Sequence, residues 1–331
     1  MKQLNSCTNI DTFEHIVIFF CNGIGDAFMT MPAIRALREI FTKKITLVCP
    51  ESHENWWYDE LMLDEVIPIS FDLFEHHIEF NVNELSQKVF NVNVVVSLLT
   101  CESDCLNQLL DLWEPACSLG LIGPYDFMVR NYKEMNMFNA CFEIIRLMNA
   151  SLVINDFSYP IKAPPHADHT AKTLLKTFFG DGKKVFILHM ETKQNKMWSN
   201  NNLQKLLIQF LLEFSNYNVI LLGQKQISLP DNTQQRIIPF FGFDLSLASA
   251  LISYSDIFLG VDSCMLHLAD LAKIPSVGLF GPTNHQRFGF CFTRHTHISS
   301  PNNTMDMSVE EVLREVRTII SSTFTNKQEE M

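Results

Sequence analysis

Four short stretches combine reactive side chains with turns that could bring a ligand close. The first is Gly23-Ile24-Gly25-Asp26, directly after the apolar run His15 to Phe20. Glycines here let the backbone bend tightly and admit a ligand. A carboxylate at such a turn suits a general base for an incoming hydroxyl. Aspartate is equally a favoured helix cap, so Asp26 has a purely structural alternative. A dinucleotide fingerprint would need a third glycine where Phe28 stands. It would also favour amides and positive potential over a carboxylate.

The second stretch runs from His189 to Ser199 and holds Thr192, Lys193, Lys196 and Trp198. A threonine hydroxyl can donate to a phosphate oxygen, and a lysine adds a point charge. The alternative is a solvated loop anchored in the core by Trp198. The third, Gly260 to Ala269, passes from a strand end into a helix through Asp262, Ser263 and Cys264. Free amides at a helix start form an anion site, strengthened by the helix dipole. Asp262 or Ser263 would otherwise be the N-cap. His267 lies one turn in, either within reach of the same anion or packed in the core. The fourth is Phe280-Gly281-Pro282-Thr283-Asn284, where a further strand ends in a sharp turn.

These stretches need rigid elements to hold them. Apolar, β-branched runs at 15–20, 44–49, 93–98, 184–189, 218–222, 257–261 and 276–280 read as buried strands. Helical patterns fall between them, through Met31 to Leu37 with Pro32 in a first turn, and at 202–214, 245–254 and 263–273. A last helix over 308–320 opens on the capping-box sequence Ser308-Val309-Glu310-Glu311. Strand–helix alternation implies parallel sheets covered by helices on both faces. The proline-containing segment 155–168 reads as a linker between a domain of residues 1–160 and one of 161–331. The expected fold is therefore α/β, with two Rossmann-like, doubly wound domains facing a central cleft.

Composition agrees with a folded protein of two domains: 331 residues, 47% hydrophobic and 19% charged. The apolar runs are far shorter than the ~20 residues a membrane span needs. The amino-terminal sequence lacks the apolar core of a secretory signal, so a cytoplasmic location is expected. The net charge of −12 is unevenly placed. Residues 1–160 hold nine Lys and Arg against 22 Asp and Glu, a net of −13, whereas 161–331 carry a net of +1. That balance argues against nucleic acid and against an anionic membrane as partners. Nine dispersed cysteines suit reduced, buried thiols, and neither Cys101/Cys105 nor the histidine pairs assemble the ligand set of a metal site.

The order strand–GIGD–helix, then HMETKQNKMW, GVDSCMLHLAD and LFGPT, resembles glycosyltransferase family 9, which contains the ADP-heptose-dependent heptosyltransferases. The resemblance implies a GT-B fold with acceptor in the first half and sugar nucleotide in the second. It implies inverting, metal-independent sugar transfer to an acceptor hydroxyl with no cofactor beyond the donor. The acceptor could be a glycan, a small molecule or a protein. Carried onto this sequence, Asp26 is the general base beside Gly23 and Gly25. Thr192, Lys196, Asp262, Ser263, Cys264 and His267 surround the donor diphosphate.

Cys264 stands where the family usually has glycine, and Glu191 where relatives carry a small or hydroxyl residue. Glu191 would then either weaken nucleotide binding or point to solvent. Two other classes remain open. One is a nucleotide-sugar-binding module without turnover. The other is a dinucleotide-dependent oxidoreductase, with Glu51 as its ribose-binding acid. The acid excess of the first half also disfavours an anionic acceptor.

Overall fold

The computed structural model describes residues 10–53, 56–74, 77–180, 182–225, 229, 236–242, 244–300, 302 and 304–329. The chain divides into two compact units, Met1–Ser158 and Tyr159–Met331.

The first unit begins with β1 (His15–Phe19), α1 (Ile24–Ile40), β2 (Lys44–Pro50) and β3 (Glu65–Ile69). A hairpin of β4 (Phe71–Phe74) and β5 (His77–Phe80) leads into α2 (Val82–Lys88). There follow β6 (Val94–Ser97), α3 (Asp104–Trp113), β7 (Cys117–Gly120), β8 (Phe127–Met128) and α4 (Met137–Arg146). The sheet order is β3-β2-β1-β6-β7-β8, and its strands pair in parallel. β1 and β6 are buried along their whole length, as central strands covered on both faces must be.

The second unit repeats this plan. It contains α5 (Pro165–Phe179), β9 (Lys184–His189), α6 (Asn200–Glu213), β10 (Tyr217–Gly223) and β11 (Ile237–Phe241). Next come α7 (Leu245–Ser253), β12 (Ile257–Val261), α8 (Cys264–Leu271), β13 (Ser276–Phe280), α9 (His285–Phe288), β14 (His295–Ser299) and α10 (Val309–Glu329). Its parallel order is β11-β10-β9-β12-β13-β14. In both units strand order reverses beside the first strand, and open α/β sheets hold ligands outside the carboxyl ends of their strands at that reversal. The core of the second unit joins Phe186, Leu188, Leu221 and Leu259 of the sheet to Phe210 of α6 and Val312, Val316 and Ile320 of α10. Each such side chain contributes about 1.5–3 kcal/mol by leaving water.

Several expectations need correction. Pro32 lies well inside α1, not in a first turn, because the helix already starts at Ile24. The segment 155–168 is not linker throughout. α5 starts at Pro165, whose missing N–H costs nothing at a helix start. Edge strands β3 and β11 contain Pro68 and Pro239, which interrupt the apolar pattern and are tolerated because an edge leaves N–H groups unpaired. Ser308 does cap α10, accepting from the Glu311 amide at 3.1 Å. Seven cysteines are free among the described residues, whereas Cys117 is disulfide-bonded. Among the described residues no helix is long and apolar enough to cross a membrane.

Candidate functional site

In the second unit the loops after β9 and β12 meet at the strand-order reversal. Parallel pairing sets Gly260 opposite His189, so the two chains leave the sheet at the same height. Gly260 is required there. A Cβ would come within 2.6 Å of the Phe258 ring and 3.3 Å of the His189 carbonyl. Trp198 fixes the far end of the first loop, being fully buried and donating from Nε1 to the Met307 carbonyl at 3.0 Å. Ser199 then caps α6 by accepting from the Asn202 amide at 3.2 Å.

Between these anchors the Thr192 hydroxyl donates to the Asp262 carbonyl at 3.0 Å. Lys196 Nζ donates to Asp262 Oδ2 at 2.5 Å, with the two side chains only 26% and 11% exposed. Asp262 therefore ties both residues of the first loop to the start of α8. Of the two candidates, Ser263 occupies the N-cap position of α8, yet its side chain makes no capping bond. Its buried Oγ has no hydrogen-bond partner. A buried hydroxyl left unsatisfied is unusual and calls for a ligand or a functional reason.

His267, one turn into α8, is 3% exposed and feels the charges of Asp262 and Lys196. Burial, reinforced by the Lys196 charge, lowers its pKa to about 4 against the opposing pull of Asp262. The ring is thus neutral at physiological pH. Burial pushes the Cys264 thiol up to about 11, although the amides of Cys264 and Met265 favour its anion. It stays protonated and adds no charge at the helix start.

Glu191 does not simply point to solvent. Its Oε2 accepts from the Gln224 amide, in a short contact, and from the Lys225 amide at 3.3 Å. The carboxylate is half-buried against the turn that ends β10. Beside it opens a cavity of about 200 Å³, lined by Met190, Glu191, Thr192, Leu203, Leu221 and Phe241 among others. Thr192 belongs to both this cavity and the Asp262 cluster.

In the first unit Gly23 is the N-cap of α1, and Gly25 and Asp26 are its second and third residues. The capping alternative for Asp26 therefore falls to Gly23, which the extended backbone there permits. Asn22 Nδ2 donates to Thr100 Oγ1 at 3.3 Å, joining the loops after β1 and β6. The Asp26 carboxylate lies close enough to Cys101 to help burial raise that thiol's pKa. His53, beyond the end of β2, interacts with the Asn22 backbone, but burial lowers its pKa to about 4. The sequence patterns do not single out Asn22, His53 or Thr100. Their signal is only their position just past three adjacent strands.

Phe280-Gly281-Pro282-Thr283-Asn284 ends β13, and Asn284 caps α9 by accepting from the Gln286 amide at 2.9 Å. Thr192 and Lys196 direct their side-chain hydrogen bonds to Asp262 and not to that turn. Glu51, the acid considered for a ribose, lies in the first unit beyond β2. Among the described residues no three His, Cys, Asp or Glu side chains converge as a metal site requires.

The fold is shared with several solved structures. The chain is similar to a glycosyl transferase family 9 protein of Veillonella parvula DSM 2008, with a TM-score of 0.75 and 16% identity over 94% of this chain and 98% of that one. It is also similar to the ADP-heptose lps heptosyltransferase II of E. coli, with a TM-score of 0.65 and 16% identity over 94% and 99% of the two chains. For E. coli heptosyltransferase WaaC with ADP, the TM-score is 0.61 and the identity 13%, over 92% and 99%. No curated protein matches. The model of the family described as glycosyltransferase family 9 (heptosyltransferase) matches residues 150–316, half of the chain and all of the cluster around Asp262. The chain is a glycosyltransferase and belongs to family 9.

Proposed function

We propose that this glycosyltransferase acts in the cytoplasm, moving a sugar from a nucleoside diphosphate donor to an acceptor hydroxyl with inversion and without a metal. The donor is ADP-heptose and the general base is Asp26. The chief support is the cluster at the strand-order reversal of the second unit. There Thr192, Lys196, Asp262 and His267 surround the start of α8, with the unsatisfied Ser263 hydroxyl beside them. An ammonium and a helix start together suit a diphosphate.

In the proposed reaction the acceptor oxygen bonds to the anomeric carbon as the bond from that carbon to the β-phosphate oxygen breaks. The bonding pair leaves with the diphosphate, and the acceptor proton passes to Asp26. Attack opposite the leaving group inverts the anomeric centre. Negative charge grows on the diphosphate, where Lys196 and the first amides of α8 would stabilise it. Lys196 keeps two further N–H donors while one engages Asp262. His267, being neutral, would contribute a hydrogen bond rather than a charge. The apolar cavity beyond Thr192 is the place for the nucleoside. The acid excess of the first unit supports an acceptor without phosphate or carboxylate groups.

A thermal-shift panel of ADP, UDP, GDP, dTDP and NAD tests this reading. ADP should raise Tm most, because a ligand well above its Kd stabilises the folded state by a few kcal/mol. A shift with NAD alone, or with no nucleotide, would overturn it.

A further inference from the structure

A carboxylate belongs at the end of the second strand of a nucleotide-binding Rossmann unit, where it reads the ribose hydroxyls. In the second unit that strand is β10, and it ends in Gly223-Gln224-Lys225, which offers no acid. The structure nevertheless puts a carboxylate there. Glu191 arrives from the loop after β9, and its Oε2 is held by the backbone amides of Gln224 and Lys225. Gly223 leaves room for it. A Cβ at that position would meet Glu191 Oε2 at 3.0 Å.

The position along the site is equally specific. Glu191 precedes Thr192, whose hydroxyl is bonded at the Asp262 cluster, and both residues line the apolar cavity. A nucleotide with its diphosphate at that cluster and its base among Leu203, Leu221 and Phe241 would lay its pentose against residue 191. We propose that Glu191 is the specificity-determining residue for the donor's ribose. Its carboxylate, already oriented by two backbone amides, accepts hydrogen bonds from the vicinal 2′- and 3′-hydroxyls and so selects ribonucleotides over 2′-deoxyribonucleotides. This rests on the diphosphate assignment given under Proposed function.

Calorimetric titration of the full chain with ADP and with 2′-deoxy-ADP separates the two claims. A hydrogen bond to a charged group predicts that wild type binds ADP about ten- to a hundredfold more tightly than 2′-deoxy-ADP. Glu191→Gln keeps an oxygen for the two amides but loses the charge, and should bring that ratio to within about threefold with Tm little changed. Glu191→Ala should abolish the ratio as well. Equal affinity of wild type for both nucleotides overturns the ribose assignment and leaves the diphosphate site intact. So does an equal loss of both affinities in Glu191→Gln, which would mark a structural role only. Failure of ADP to bind wild type at all overturns both claims.

Discussion

Lys196 Nζ lies 2.5 Å from Asp262 Oδ2, and both charges act on the buried ring of His267. Asp262 favours the His267 imidazolium while Lys196 opposes it. Replacing Lys196 by Met should therefore raise the His267 pKa from about 4, and Asp262→Asn should lower it further. Following the His267 ring proton by NMR between pH 3 and 8 checks both signs. An unmoved titration in both variants would mean that the three side chains do not share one site.

Asp26→Asn keeps shape and polarity but cannot take a proton at neutral pH. With any acceptor that supports wild-type turnover, kcat should fall about 10²–10⁴-fold, the usual worth of a positioned general base. ADP affinity should stay within about twofold, because Asp26 lies in the first unit and the residues proposed for the diphosphate in the second. Steady-state rates with parallel titration calorimetry test this. A kcat near wild type would remove Asp26 from the mechanism.

Acid should destabilise the fold in a defined window. Burial lowers the pKa of His53 and His267 to about 4 and that of His297 to about 3, from 6.5. Below pH 6.5 the unfolded chain takes up protons that the folded chain refuses, so this stability is complete above pH 6.5 and is lost as pH falls towards 4. His53→Phe keeps a ring beside Phe20 and Trp57. The pH dependence of its unfolding free energy between 5 and 6.5 should be shallower by up to one proton, about 1.4 kcal/mol per pH unit. Chemical denaturation across that range measures it, and an unchanged slope would show that His53 is not held neutral.

Asp270 ties α8 to the segment before β14. This fully buried carboxylate of α8 accepts from the amides of Cys291, Phe292 and Thr293 at 2.7, 2.9 and 2.9 Å. Asparagine would turn an N–H₂ group towards those donors and leave at least one unpaired. Asp270→Asn should cost about 2–3 kcal/mol and lower Tm by roughly 5–10 °C. Calorimetry checks it, and a loss below 1 °C would mean that the amides find other partners.

Much of this fold was legible because central parallel strands are uninterrupted apolar runs. The runs at Ile257–Val261 and Ser276–Phe280 coincide with β12 and β13 residue for residue. Edge strands were not, since proline in β3 and β11 and the histidines of β14 obscure their pattern. Thr192, Lys196, Asp262 and His267 stood out through their order near strand ends, and the fold brings them together. The bond between Asn22 and Thr100 depends on which strands are neighbours, which no local pattern records. Glu191 is legible only with the β10 turn in view, because its partners lie 33 and 34 residues away.

Titration of ADP into wild type and Lys196→Met tests most directly whether the second unit grips a diphosphate at this cluster. Loss of the ammonium should raise Kd for ADP at least about tenfold, the scale of one charge-assisted contact, while adenosine binds both proteins alike. Equal Kd values for ADP in the two proteins would contradict the assignment.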